Sequence, residues 1–513
     1  MSLLNSAIAH DDCDLLVVGG GINGAGIARD AAGCGYRVVL VERDDLAAHT
    51  SSASTKLIHG GLRYLEHYEF TLVRKALAER EVLLAAAPHI TWPLRFVLPH
   101  EPHLRPALLI RAGLFLYDHL ASRRRLEGSS SIDLRHHVAG NPLRAAHRRG
   151  FVYSDMWVDD ARLVVLNALD AHERGARVLT RTPCTRLTRD GSHWLATLGG
   201  RHAGTVRARA VINAAGPWAD RFLSGASPVQ ARHAVRLVKG SHIVVPRLFD
   251  HDYAYIFQNA DRRIVFAIPY EQDFTLIGTT DVEYHGDPAL VSIDAEETDY
   301  LCRLASDYFK RSITRADVVH TYSGVRPLLE DESSDPSAVT RDYTLELNTE
   351  GAPLLSVFGG KITTYRRLAE QAMVLIAGAL GDPYRPWTAK ATLPGGDLPA
   401  ADPSAYRRAL HERYPGLTGR MVDRIVRAYG TRAERWLGDG TPETLGREIV
   451  PGLYEAELHY LIEQEWACDA EDVLRRRSKL ALHLPPDSFG IINDWIARHT
   501  EHRRPYVALC AGP

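Results

Sequence analysis

Apolar residues first run unbroken at Asp14-Leu15-Leu16-Val17-Val18, and the run stops at glycines, as a strand buried on both faces does. A small, helix-compatible stretch from Gly24 to Gly35 follows, and Arg37-Val38-Val39-Leu40-Val41 is a second β-branched run. Strand, glycine turn, helix and strand within about 30 residues predict a βαβ unit. Between Glu66 and Ala87, Phe70, Val73, Leu77 and Leu84 recur at helical spacing. Pro88, Pro93, Pro99, Pro102 and Pro106 then predict irregular chain.

Further strands are expected at Ala210–Ala214, His242–Val245, Arg263–Ala267 and Leu354–Val357. The block from about 230 to 330 alternates like an antiparallel sheet with one exposed face. From about 400 onward the chain reads as short charged amphipathic helices, such as Met421–Val426, with no strand pattern, so a boundary falls near 390–400. The segment Arg95–Arg125 mixes Leu108, Leu109, Ile110, Leu114, Phe115, Leu116 and Tyr117 with Arg105, Arg111, Arg123, Arg124 and Arg125. It suits a helix lying among lipid headgroups or a core-facing helix with a solvated basic end, and periodicity favours the second.

A chain of 513 residues exceeds one hydrophobic core, so two or three domains are expected. The net charge of -2 gives no electrostatic case for nucleic acid. Seven of the 61 basic residues are Lys, and in so Arg-rich a chain a single Arg is weak evidence of function. The six cysteines are scattered, without a C-x-x-C pair or a His cluster at ligand spacing, which argues against a disulfide framework and a metal site. Met1–Asp14 lacks the basic start and apolar core of a signal peptide, and no run of about 18 apolar residues predicts a membrane-spanning helix. The expectation is a reduced, cytosol-facing protein.

Gly19-Gly20-Gly21-Ile22-Asn23-Gly24 follows a predicted strand and opens a helix, and Glu42 ends the second strand. That context predicts a dinucleotide site. Gly19 permits the tight turn, Gly21 lets backbone approach a pyrophosphate, and Gly24 lets helix pack on strand. The helix N-terminus offers free N–H groups to phosphate, and Glu42 accepts a hydrogen bond from a ribose hydroxyl. Val211–Gly216 and Val357–Thr364 are later strands that close on small residues and glycine. Two such segments far down one chain favour FAD over NAD, with its two ends held by distant parts of the sequence.

Gly19–Asp30, Ser51–Glu66, Lys239–His242, Tyr322–Leu328, Thr340–Tyr343 and Gly359–Lys361 together resemble the FAD-dependent glycerol-3-phosphate dehydrogenases, most closely the bacterial aerobic, respiratory kind. The resemblance runs in order over nearly the whole chain. It implies a Rossmann-like FAD-binding domain (1–90, 150–228 and 320–390), an antiparallel-sheet substrate-binding or cap region (91–149 and 229–319) and an all-helical C-terminal domain (395–513). It further implies oxidation of sn-glycerol 3-phosphate to dihydroxyacetone phosphate, a membrane quinone as acceptor, and a homodimer held peripherally at the inner face of the cytoplasmic membrane. An oxidase passing electrons to oxygen, a flavin amine or hydroxy-acid oxidase, and a non-catalytic FAD-binding protein are the competing readings.

The reaction needs a phosphate clamp and a base. Arg326 and Arg341 supply forked donors, with Arg63, Tyr64 and Lys361 in segments lining the same cavity. For the base, His59 comes first and His242 second, and Arg341 counts as catalytic through its charge on a developing alkoxide. The cofactor set implied by the motifs is Gly19, Gly21, Ile22, Asn23, Gly24, Glu42, Arg43, Ser51, Ser52, Ser54, Thr55, Gly60, Gly61, Ala215, Gly216, Gly359, Gly360, Lys361, Ile362 and Thr363.

Overall fold

The computed structural model describes residues 11–101, 104–259, 261, 263–329 and 343–500. The chain divides into two compact units, Met1–Leu393 and Pro394–Pro513.

The first unit holds two large sheets. In one, Leu354–Phe358, Gly204–Asn213, Asp11–Val18, Val38–Val41 and Arg177–Leu179 lie side by side and parallel, in that order. Thr344–Asn348 closes one edge antiparallel, and the hairpin Cys184–Asp190 and His193–Leu198 extends Gly204–Asn213. Leu15, Leu16 and Val17 are fully buried, which is why these strands read as continuous apolar runs. Helix Ile22–Gly33 packs against helices Asp160–Glu173 and Tyr365–Leu380.

The second sheet has ten strands. Its order is Val282–Glu283, Val235–Pro246, Phe274–Gly278, Ile264–Tyr270, Ala254–Gln258, Thr91–Pro99, Arg149–Val158 and Leu57–Ile58, with His320–Leu329 also on Val235–Pro246 and Ser130–Asp133 on Arg149–Val158. Arg149–Val158 and His320–Leu329, which the expected boundaries assigned to the cofactor domain, therefore pair here.

Three expectations change. Neither face of the central part of this sheet is open, because Val238–Val245 is buried throughout: helix Ala295–Tyr308 covers one side and the other lines a cavity. Pro93 and Pro99 lie within a strand. Ala254–Gln258 reaches only Phe96 and Val97 of it, so at both prolines one edge requires no N–H. The predicted helix over Glu66–Ala87 is found as Phe70–Ala86, preceded by the 3-10 turn Leu62–His67.

Helix Ala107–His119 has one face in the protein, as the core-facing reading expects, and leaves several apolar residues exposed on the other. Leu114 and Tyr117 are buried, whereas Leu108 is 83% exposed and Phe115 57%, with Leu109 and Leu116 beside them and Arg124 and Arg125 beyond the helix in solvent.

The second unit packs helices Pro403–Arg413, Gly419–Tyr429, Glu455–Gln464 and Ser488–Thr500 around Val422, Ile425, Leu458, Leu461 and Ile492. It also contains a short antiparallel pair, Glu448–Val450 with Leu453–Tyr454, against the strand-free expectation. Strands of three and two residues are too short to show alternation.

Candidate functional site

A cavity of about 630 Å³ opens within the first unit and is lined by residues of both sheets. One end is made largely of backbone. Strand Asp11–Val18 turns at Gly19, whose φ is +112°, and a Cβ there would lie 2.4 Å from the Ala214 carbonyl oxygen. At Gly24 a Cβ would lie 1.9 Å from the Gly19 carbonyl oxygen, so the helix approaches the strand only because residue 24 lacks a side chain. Helix Ile22–Gly33 thus begins at the cavity wall, and its first amide, of Ile22, donates to Ser51 Oγ at 3.0 Å. Gly19, Gly21, Ile22, Asn23 and Ser51 all line the space.

Glu42, at the end of Val38–Val41, accepts from the Gly20 amide at 2.6 Å and from the Asp44 amide at 2.8 Å. The glycine loop and the carboxylate therefore hold one another. Burial pushes the Glu42 pKa up, and the two amides pull against that. Beside it Arg43 lies over the Trp218 ring at 3.9 Å. The far wall comes from late in the chain: Ala215 and Gly216 after strand Gly204–Asn213, and Gly359 to Thr363 after Leu354–Phe358. Asn23 Nδ2 donates to the Gly359 carbonyl at 3.2 Å and so ties the first helix to this last segment.

The other end is made of side chains. His59, Gly61, Tyr64, His242, Arg326 and Lys361 line it together. Strand pairing sets Val238 opposite Arg326 and His242 opposite Tyr322, so His242 and Arg326 share the face toward the cavity, while Lys239, Ser241 and Ser323 lie on the other face, where Lys239 and Ser241 meet Glu297. Arg326 donates to Asp281 through Nη1 and to Thr279 Oγ1 through Nη2 at 3.1 Å. The Lys361 ammonium sits 4.0 Å over the Tyr64 ring. His242 Nε2 is 3.0 Å from Thr55 Oγ1, its ring stacks on Tyr322 at 4.7 Å, and its Nδ1 meets no hydrogen-bond partner among the described residues. Burial, with the charges of Arg326 and Lys56 added, holds its pKa well below the usual histidine range, so His242 is neutral.

Of the expected residues, Glu42, Arg43, Ser54 and Thr55 also reach the cavity, Ser54 while donating to Asp160 at 2.7 Å. Gly24, Ser52 and Gly60 do not line it: Gly24 serves helix packing, Ser52 Oγ donates to the His49 carbonyl, and the Gly60 amide points into protein. Arg341 and the side chain of Arg63 lie outside the described residues. Sequence reasoning missed Thr279 and Asp281, which sit in Gly278-Thr279-Thr280-Asp281, a stretch it did not single out. It also missed Trp218 and Asp155, whose surroundings give no local sign of a site. No cluster of potential metal ligands occurs among the described residues. A cradle that any Cβ would fill, a helix start and a buried carboxylate at one end fit a dinucleotide of the FAD kind.

Comparison with known proteins agrees with that fit. Residues 14–366 match the family model of FAD dependent oxidoreductases, and residues 386–493 match the C-terminal domain of alpha-glycerophosphate oxidase. A glycerol-3-phosphate dehydrogenase of Pseudomonas aeruginosa is 54% identical, with 96% of each chain covered. A D-erythritol 1-phosphate dehydrogenase of Brucella abortus is 50% identical over 94% of this chain and 98% of its own. The crystal structure of the glycerol-3-phosphate dehydrogenase from Bacillus halodurans, complexed with FAD, superposes with a TM-score of 0.75 at 28% identity, over 96% of this chain and 92% of its own.

Proposed function

The chain belongs to the FAD-dependent glycerol-3-phosphate dehydrogenases, and from that premise we propose that it oxidises sn-glycerol 3-phosphate to dihydroxyacetone phosphate and delivers the electrons to a membrane quinone. The observation that carries the reading is one cavity with a dinucleotide cradle at one end and His59, Arg326 and Lys361 at the other. FAD, when bound, supplies at N5 the acceptor for the hydride that leaves C2 of the substrate.

The protein's own groups do the rest. Arg326 keeps Nε and further guanidinium protons beyond those given to Asp281 and Thr279, and with Lys361 it binds the phosphate. The family resemblance adds Arg63 and Arg341 to this clamp. Tyr64 is fixed under Lys361 and presents its hydroxyl to the same group. A ring nitrogen of His59 takes the C2 hydroxyl proton as the hydride departs, and the positive clamp favours the developing alkoxide. His242, held neutral in the wall, holds the Thr55 hydroxyl and leaves proton transfer to His59.

Anaerobic addition of sn-glycerol 3-phosphate to the purified holoenzyme should bleach the visible flavin band within one turnover. An unchanged spectrum removes the proposal. Under air, a peroxide yield matching substrate consumption would make the chain an oxidase, a reading that the name of the C-terminal family model favours. The Brucella abortus relative supports a second substrate, D-erythritol 1-phosphate, whose phosphate and neighbouring hydroxyl meet the same groups. The ratio of the two kcat/KM values decides between them.

No helix among the described residues is long and apolar enough to cross a membrane. Quinone access then needs a peripheral contact, which Leu108, Leu109, Phe115 and Leu116, with Arg124 and Arg125 close by, are suited to provide. Flotation with anionic vesicles should be lost in Leu108→Glu/Phe115→Glu. Leu114 is buried and is not the residue to change. The family resemblance adds a homodimer at the cytoplasmic face, which sedimentation of the holoenzyme tests.

A further inference from the structure

The loop His59-Gly60-Gly61 carries the proposed base, yet two adjacent glycines give it no conformational preference of its own. Two elements reach its Gly60 amide and a third holds one of them in place. The Gly60 N–H is 2.8 Å from Tyr117 Oη and 3.3 Å from Asp155 Oδ1. Tyr117 Oη donates to the same Asp155 oxygen at 2.7 Å, and Arg80 Nη1 donates to it at 2.7 Å while also reaching the Ser154 carbonyl. Tyr117 comes from helix Ala107–His119, Arg80 from helix Phe70–Ala86 and Asp155 from strand Arg149–Val158. All three side chains are buried, and Asp155 also borders the cavity. Burial and the Asp155 charge push the Tyr117 pKa well up, so the hydroxyl keeps its proton and remains a donor.

A Cβ on Gly60 would lie 2.6 Å from the Tyr117 hydroxyl and 2.4 Å from Leu77 Cδ2, so the peptide is held tightly on this side. Because the peptide between His59 and Gly60 is planar, fixing its N–H fixes the plane from which the His59 backbone departs. We propose that Tyr117 and Asp155 are positioning residues that, through the Gly60 amide, set where His59 stands against the substrate. The inference rests on the reading of His59 as base. It gives a surface helix, through one hydroxyl, a part in the reaction distinct from any lipid contact made by its outer face.

The test compares Tyr117→Phe and His59→Asn with wild-type holoenzyme. It measures the limiting rate of anaerobic flavin reduction by sn-glycerol 3-phosphate, the inhibition constant of inorganic phosphate, and FAD per chain. In Tyr117→Phe the limiting rate should fall about tenfold, as for a reacting group displaced by a fraction of an ångström, with phosphate inhibition and FAD content within about twofold of wild type. A rate within about twofold of wild type, while His59→Asn is slow, overturns the positioning role alone. Unchanged rates in both variants overturn the reading of His59 and this inference with it. A parallel fall in FAD content or phosphate binding makes Tyr117 a packing residue and overturns the proposal.

Discussion

The two ends of the cavity are built by opposite means. At the cofactor end, recognition is by backbone: Gly19 and Gly24 matter for the atoms they lack, and Glu42 is tied to the Gly20 amide of the same loop. At the substrate end it is by side chains held from far apart in sequence, such as Arg326 by Thr279 and Asp281, and Thr55 by His242. A backbone-built end tolerates no added atom where backbone meets backbone, as at Gly19 and Gly24, whereas a side-chain-built end loses in proportion to the group removed. That difference can be broken or sharpened by substitution.

The largest effect is expected at Gly24. A side chain there collides with the Gly19 carbonyl, which cannot move without unmaking the turn. Gly24→Val should yield protein without bound FAD, read from the flavin-to-protein absorbance ratio, and a full flavin complement would show that the cradle gives way more easily than its geometry suggests. Next comes the clamp. Arg326→Lys keeps the charge but loses the fork, and kcat/KM for sn-glycerol 3-phosphate should fall by about 10² to 10³ with FAD content unchanged. Loss of FAD in that variant would erase the distinction between the ends. His59→Asn should leave FAD and phosphate binding intact while slowing flavin reduction by at least about tenfold, and about 10² if His59 is the whole of the base. A single-turnover rate equal to wild type removes His59 from the chemistry.

The smallest effect distinguishes the ends by the sign of their response to acid. Burial holds His242 below its ordinary 6.5, so in acid the unfolded chain binds a proton there that the folded chain refuses, and stability falls as pH drops through about 6.5. Burial raises Glu42 above its ordinary 4.5, so the folded chain keeps that proton longer, and the contribution is lost as pH rises through about 4.5 toward the raised value. The Tm of apo His242→Asn should therefore fall less steeply than wild type on acidification, and that of apo Glu42→Gln more steeply. Parallel curves for all three proteins would mean that neither group is as dry as the structure places it.

The same contrast explains what the sequence disclosed. The glycine loop, its helix and Glu42 were legible because their spacing is met within about 30 positions, although Gly19 also answers to the distant Ala214 carbonyl. Parallel strands such as Leu354–Phe358 showed as apolar runs because both their faces are buried. The two faces of the ten-stranded sheet were not legible. One is covered by helix Ala295–Tyr308 and the other by the cavity, and neither is a local property of the strands. Thr279 and Asp281 escaped notice because their meaning comes from Arg326, some 45 positions later. Asp155 escaped because its partners, Arg80 and Tyr117, lie on two other elements. The motif resemblance supplied His59 and Arg326, which no periodicity would have singled out among 24 histidines and so many arginines.

One contact also has a consequence in time. The Asn23 side chain meets the Gly359 carbonyl across 336 residues of chain, and the first strand lies between partners that end at Val41 and at Asn213. During synthesis the N-terminal strand must therefore wait for its central neighbour, and the cradle closes only once Gly359 has left the ribosome. At about 5 to 20 residues per second that is some tens of seconds in which one edge of the first strand and the far wall of the glycine loop are still to be made. Flavin capture is thus expected late in the life of the nascent chain, once Gly359 to Thr363 have joined the cavity wall.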